Sequence, residues 1–206
     1  TMVGEPVGQF YGYKVIGMFK EESDFYKKDA DGNFQLDEAG NRIRIAIPKG
    51  QQISKNGIWV GDYIYEDLHE DGVIDEKDRT FLGNPAPKFT FGFNNYFAYK
   101  GFDLNIFLNG SVGNKAVNLI RRTFTDPMRN SNLLKEATDI ALIGMHDPEV
   151  GDEELSNVYI VNADRAKVQR VTTSSANDNN RISSRFIEDA SYLLSLIHIS
   201  EPTRPY

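Results

Sequence analysis

The strongest constraint on this chain is the run KFTFGFNNYFAYKGFDLNIFLNG at residues 88–110. Apolar and polar residues alternate with a period of two on both sides of Lys100 and Gly101, so the run reads as two strands joined at that dipeptide. With those two residues as the turn, Tyr99 faces Phe102, Phe97 faces Leu104, Asn95 faces Ile106 and Phe93 faces Leu108. Both apolar sets then fall on one face, and a slip of one residue would destroy the agreement. That face, made of Phe89, Phe91, Phe93, Asn95, Phe97, Tyr99, Phe102, Leu104, Ile106 and Leu108, has one polar member and no charge. Thr90, Asn94, Tyr96, Asp103, Asn105 and Asn109 fall on the other.

A face this aromatic suits the inside of a soluble sandwich or the lipid side of a barrel. Strands that cross a bilayer need about 9 to 11 tilted residues, which these two have. Strands in soluble proteins usually stop near about five or six. Barrels also set aromatics at the water interface beside a tight turn and keep a polar inner face. As a hairpin turn Lys100 and Gly101 are only fair, because Asn or Asp is the usual first residue.

The 206 residues suffice for one domain with its own core, or for a piece of something larger. A chain that begins at Thr1 with no signal peptide is expected to be a piece. No apolar run reaches the roughly 18 residues of a transmembrane helix. That leaves a transmembrane barrel open, since alternation hides its strands and a mean hydropathy of -0.46 is compatible with long polar loops. A net charge of -7 argues against nucleic acid. The absence of cysteine excludes disulfides and thiolate metal sites but identifies no compartment.

Residues 3–19, VGEPVGQFYGYKVIGMF, read as an irregular strand over about 7–19 that Gly4, Gly8, Gly12 and Gly17 would bend or bulge, as at a barrel rim or in any glycine-rich edge strand. Between residues 20 and 59 the composition turns polar, with turn signals at 29–32 and 37–41 around short strands near 34–36 and 43–47. Asp29 and Asp31 read as a solvated turn, because Phe34 stands where a calcium loop needs glycine.

The sharpest chemical motif is DLHEDGVIDEKD at residues 67–78. Counted from Asp67, oxygen donors stand at positions 1, 5, 9 and 12 (Asp67, Asp71, Asp75 and Asp78), glycine at 6 and an aliphatic residue at 8. This is the spacing of an EF-hand loop, in which side chains and the carbonyl at position 7, here Val73, converge on Ca2+ while glycine makes the sharp turn. His69 at position 3 is a poor calcium ligand, Asp78 is short for bidentate coordination, and Tyr63, Ile64 and Tyr65 lead in as a strand rather than a helix. A calcium loop of extracellular type, with affinity of roughly 10⁻⁴ to 10⁻³ M, and an acidic turn are the two readings.

Three ordered blocks, VGEPVGQFYGYKVIGMF, then residues 61–114 around the 67–78 loop and the hairpin, then RFIEDASYL at 185–193, resemble the C-terminal part of the barrel of SusC/RagA-type TonB-linked outer-membrane proteins. The resemblance implies an all-β fold, part of a 22-stranded transmembrane antiparallel barrel with an internal plug and long extracellular loops. It implies import of glycans or peptides with a SusD-like surface lipoprotein as lid and energy relayed by TonB. Strands at about 7–19, 88–99, 102–110 and 185–193 would belong to that barrel in a bilayer, with loops at 20–87 and 111–184 and the 67–78 loop on the extracellular side. The family commonly carries Asn where His69 stands.

Within 111–184, residues 132–142 place Leu133, Leu134, Ala137, Ile140 and Ala141 at helical spacing, predicting a short packing helix with Asn130 or Ser131 as cap. Arg121 and Arg122 read as a solvated pair or as contacts for an anionic substrate or the lipoprotein. Residues 172–180, TTSSANDNN, read as a mobile loop. After Leu193 the resemblance stops, and residues 194–206, LSLIHISEPTRPY, resemble the translation of a transposon-type sequencing adapter. The expected division is therefore 1–193 as native barrel and 194–206 as a non-native tail, which removes His198 as a ligand.

Three histidines, no cysteine and no Gly-x-Ser-x-Gly elbow leave no constellation for an enzyme. The sequence is thus read as a fragment of a TonB-dependent transporter, with a soluble, calcium-stabilised β-rich binding or adhesion module as the alternative. Loop aromatics such as Trp59 and Tyr65 could stack on sugars.

Overall fold

In the computed structural model, which describes residues 7–200, the chain is all-β apart from one α-helical turn and a few 3-10 turns. The strands are β1 (Phe10–Tyr13), β2 (Val15–Met18), β3 (Ile47–Pro48), β4 (Tyr63–Tyr65), β5 (Val73–Ile74), β6 (Arg79–Gly83), β7 (Phe89–Tyr99) and β8 (Phe102–Val112). They continue with β9 (Lys115–Val117), the helix α1 (Leu119–Phe124), β10 (Ile143–Met145), β11 (Val158–Ile160), β12 (Ile187–Asp189) and β13 (Tyr192–Ser200). The described residues divide into two units. One is built on Gly83–Val117 and the chain from Ile187 onward, and the other comprises Tyr11–Leu82 and Asn118–Phe186.

In the first unit, β7 and β8 pair in the register that the alternation dictates, with Tyr99 opposite Phe102, Phe97 opposite Leu104, Asn95 opposite Ile106 and Phe93 opposite Leu108. Lys100 and Gly101 both have positive φ, 48° and 85°. Two left-handed residues give the turn the twist that two right-twisted strands require, so lysine tolerates a conformation that asparagine would take more readily. Phe91 lies opposite Gly110, and a Cβ at Gly110 would stand 2.3 Å from the Phe91 ring. The ring therefore covers the glycine, and the side chain missing from β8 is supplied across the strand pair. On the polar face, the Tyr96 hydroxyl donates to Asp103 at 2.7 Å.

On the apolar face of this sheet the aromatic side chains stand open, while Asn95, Leu104, Ile106 and Leu108 are half-buried. Phe89, Phe91, Phe93, Phe97, Tyr99 and Phe102 are all exposed, from 42% at Phe91 to 70% at Tyr99. β13 pairs antiparallel with the far side of β8, from Tyr192 opposite Ser111 to Ser200 opposite Asp103. Its pairing runs through the boundary at residue 193, and the expected tail beyond Ser200 lies outside the described residues. Side-chain alternation fails at that boundary. Ser195 is paired opposite Leu108 on the apolar face, while Leu194 and Leu196 are opposite Asn109 and Phe107 on the other. Backbone pairing accepts almost any sequence without proline, so it reports register and not the origin of these residues.

The expected strand over 185–193 is three pieces: a 3-10 turn at Ser184–Phe186, β12 opposite β9, and the start of β13. The long first strand is likewise split, as β1 pairs with β6 and β2 with β4, with a bulge between Val15 and Gly17.

The second unit has a conventional buried core. Phe19, Phe25, Ile58, Trp59, Val60, Tyr63, Tyr65, Val158 and Ile160 cluster there, and the Phe19 and Phe25 rings stack at 4.1 Å. Trp59 and Tyr65 are each 2% exposed, so neither is placed to stack on a sugar. Its elements are short. β3 runs parallel to β5, β10 pairs with β11, and much of the rest is turn.

The helix expected over 132–142 is a five-residue 3-10 turn, Lys135–Asp139, with Leu134 rather than Asn130 or Ser131 at its start. Beyond it the backbone is extended, because Ala141 donates to Val168 O and Val168 donates to Asp139 O. A run this short gains little from helix nucleation, and tertiary backbone bonds outcompete it.

Residues 26–44 hold an eight-residue repeat. Asp29 and Asp37 each accept backbone hydrogen bonds from residues two and four further on, Asp31 and Asn33 in the first case and Ala39 and Asn41 in the second. The stretches between these turns are tied in a closed ring, Lys27 N to Ile43 O, Ile43 N to Gln35 O and Gln35 N to Lys27 O. The solvated turn expected at Asp29 is thus one of a matched pair, and the Arg42 guanidinium lies 4.2 Å from the Phe34 ring beside it.

Candidate functional site

The 67–78 loop folds by bonding its own carboxylates to its own amides. Asp67 Oδ2 accepts from Gly72 N at 2.9 Å, Asp71 Oδ1 from Val73 N at 3.1 Å and Asp75 Oδ1 from Lys77 N at 2.8 Å. Asp78 is buried and has both oxygens engaged, accepting from Leu68 N at 3.0 Å and from Asp75 N at 2.8 Å. Gly72 has φ 79°, the left-handed conformation that position 6 demands. Val73 is in β5, opposite Ile47. His69 has an exposed side chain whose Nδ1 stands 3.7 Å from Asp78 Oδ1.

The donor chemistry fits calcium in part. Asp67 Oδ1 is buried with no hydrogen-bond partner, as an oxygen reserved for a cation would be. Against that, Asp78 is saturated by amides, and among the described residues no group of three or more His, Asp or Glu side chains stands close enough to hold a metal ion.

The second unit is organised around a different polar cluster, which the sequence did not single out. Arg170 and Asp62 are 5% and 1% exposed and form a two-pronged ion pair, Nε to Oδ1 at 3.0 Å and Nη2 to Oδ2 at 3.1 Å. Four of the five guanidinium N–H groups and both carboxylate oxygens are engaged. Arg170 also donates to the carbonyls of Lys55 and Gly57, and Asp62 also accepts from Trp59 N and from Asn179 Nδ2. Gly61, at φ 93°, lets the chain pass close to Arg170, since a Cβ there would stand 2.8 Å from the Arg170 Cβ. Asn177 is buried and donates to Tyr63 O at 2.9 Å and to Asn179 Oδ1.

The stretch 172–180, read as mobile from its composition, therefore supplies two of the ligands that fix this cluster. The cluster ties residues 55–62 to residues 170–179, and these hydrogen bonds offset the cost of burying the ion pair.

Arg121 and Arg122 separate. Arg121 makes a forked ion pair with Glu136 and donates to Arg185 O. That guanidinium holds the Glu136 carboxyl below its ordinary pKa. Arg122 instead donates Nε to Asn180 O at 2.8 Å. Arg181 lies over both the Tyr13 and Tyr65 rings at 4.7 Å, and burial pushes the Tyr65 hydroxyl well above its usual pKa.

No protein-family model matches the chain. Among curated proteins it is similar to the TonB-dependent receptor P3 of Formosa agariphila, 34% identical over 115 residues, which is 56% of this chain and 9% of that protein. TonB-dependent receptor P26 of the same organism is 31% identical over 121 residues, 59% of this chain and 10% of the relative. TonB-dependent receptor P39 is 24% identical over 201 residues, 92% of this chain and 18% of the relative. The chain thus spans less than a fifth of the length of these relatives, and the similarities support the TonB-dependent receptor family.

Proposed function

We propose that this chain is a section of the barrel and surface loops of a TonB-dependent outer-membrane transporter of the SusC/RagA type, rather than an enzyme. The single observation that carries the reading is the pair of eleven-residue strands with a charge-free, aromatic-rich face, whose six aromatic rings are exposed, and a mostly polar reverse. In water such a face is an aggregation site. In a bilayer it is the solvent-facing side of a barrel wall, and no charged residue stands on it because a basic one would cost about 2–4 kcal/mol near the midplane. The similarity to TonB-dependent receptors supports the same reading. On it, the complete protein imports oligosaccharides or peptides together with a SusD-like surface lipoprotein and is coupled to the TonB system through parts outside this chain.

The test places a fluorophore on each side of the same strand. The chain is reconstituted in bilayers of brominated lipid, and Phe93→Trp is compared with Asn94→Trp over the common background of Trp59. Strong quenching of the first and weak quenching of the second is expected. Equal quenching, or a chain that stays monomeric and folded in buffer without lipid, would favour a soluble β-rich module.

Calcium is a separate proposal within that reading. Asp67, Asp71 and Asp75, with the Val73 carbonyl, are the part of the loop that would hold it, supported by the buried, unpartnered Asp67 Oδ1. Calcium should raise the melting temperature of the chain in nonionic micelles, and Asp71→Ala should abolish the rise. A chain indifferent to calcium would remove the proposal.

A further inference from the structure

Within the second unit, a cavity of about 420 Å³ is lined by three arginines, Arg79, Arg122 and Arg181, together with Tyr11, Tyr13 and Asp178. In a chain with a net charge of -7, three guanidinium groups on one cavity call for a reason. Each is fixed from behind. Arg79 donates Nε to the Tyr13 hydroxyl at 3.3 Å and meets Glu76 at 3.3 Å. Arg122 donates Nε to Asn180 O, and Arg181 donates Nη2 to Asn177 O at 2.8 Å and Nε to Asp178 O at 3.3 Å.

The rings of Tyr13 and Tyr65 hold Arg181 by cation–π contact, and Tyr13 holds Arg79 at 5.4 Å. A guanidinium has five N–H donors, so among the described residues each of the three keeps donors with no protein acceptor. The acidic neighbours do not neutralise the set. Asp178 stands 3.8 Å from Arg181, Glu76 faces only Arg79, and both carboxylates are largely exposed to solvent.

We propose that this cavity binds the oxyanion group of an acidic ligand, a carboxylate or a sulfate. Forked guanidinium donors match the spacing of two oxygens on one planar or tetrahedral anion, and charge-assisted bonds of this kind are about twice as strong as neutral ones. Side chains already held by tyrosine rings and backbone carbonyls lose little further freedom when the anion arrives. Tyr11, exposed and in contact with Phe81 at 5.4 Å, adds an aromatic surface to the same cavity for the body of the ligand. The site does not depend on the transporter reading, since every residue in it belongs to one unit with its own core.

The full chain in nonionic micelles is titrated calorimetrically with sodium sulfate and, separately, with sodium glucuronate, at ionic strength matched with sodium chloride. Glucose is the uncharged control. Binding of either oxyanion, but not of glucose, is expected, and which one binds identifies the group. Arg79→Gln combined with Arg122→Gln should weaken that binding at least about tenfold for the two lost charge-assisted contacts. Arg181 is left in place because it also stacks on the tyrosines. Near-ultraviolet circular dichroism checks that the variant stays folded, and should it unfold, Arg122→Lys, which keeps the charge but loses the fork, is expected to weaken binding on its own. Heat changes equal to those of chloride, or affinity retained in folded variants, would overturn the proposal.

Discussion

Phe19 and Phe93 are the same side chain in opposite circumstances. Phe19 is 1% exposed and stacked on Phe25 in a core assembled from many short segments. Phe93 is 51% exposed on a sheet whose backbone is paired along eleven residues. In the first setting the hydrophobic effect organises the fold and hydrogen bonds follow. In the second, backbone pairing organises the fold and the apolar atoms are turned outward. Both units are locally consistent with their sequences, so the difference lies in the surroundings each is built for. The core unit hides its apolar groups from water, and the sheet, on the reading proposed above, presents them to lipid.

The largest expected effect tests that contrast directly. Phe19→Ala should cost about 3–5 kcal/mol of stability, the usual range for deleting a buried ring. Phe93→Ala should cost about 1 kcal/mol or less, the loss of one cross-strand pair with Leu108. Urea unfolding of both variants in micelles provides the measurement. Comparable losses would mean that something in the folded chain covers Phe93, and the contrast between the units would collapse.

Asn177 sharpens the comparison from the polar side. In the sheet, polar residues such as Asn94 sit on an exposed face, whereas Asn177 is buried and bonded to Tyr63 O and Asn179. Asn177→Ala leaves the Tyr63 carbonyl without this donor and should cost about 1–3 kcal/mol. Asn94→Ala should fall within about 0.5 kcal/mol of the parent. If the two substitutions are equally mild, residues 172–180 are the loose loop that their composition suggests.

The same contrast decides what could be read in the sequence. The register of the hairpin was legible, because a period of two excludes odd slips and the turn at Lys100 and Gly101 fixes the pairing, although the second strand runs on to Val112 beyond the expected end at Gly110. The core unit was hardly legible. Ile58, Val60, Val158, Val168 and Phe186 are all buried, yet they come from segments too short to show any period. Asp62 and Arg170 are 108 positions apart, and no local pattern links them. Trp59 and Tyr65 read as loop aromatics because residues 20–87 as a whole read as a loop, although Ile58 and Val60 flank the first and Ile64 precedes the second, and the fold buries both. The 67–78 motif was visible from spacing alone, and so was the sharp turn at Gly72. What spacing could not show is that Asp78 is taken up by two amides.

The smallest expected effect concerns charge in the core unit. Arg121 holds the Glu136 carboxyl below its ordinary value of 4.5 through a forked hydrogen bond, the leading cause of the shift, with partial burial acting in the opposite sense. Because the folded-state pKa is depressed, the pair stabilises fully above about pH 4.5, and the contribution is lost as pH falls through the folded value. Both side chains are partly open to solvent, which screens the pair and limits it to about 1 kcal/mol. Glu136→Gln should therefore lower the melting temperature slightly at pH 7 and flatten its fall between pH 4.5 and the acid transition. The sheet, whose apolar face carries no titratable pair, should show no matching change in its backbone amide exchange over the same range. A variant that melts like the parent at pH 7 and keeps the full acid slope would place the acid sensitivity elsewhere, with Asp29 and Asp37 the next carboxylates to substitute, since amide donors from Asn33 and Asn41 depress both.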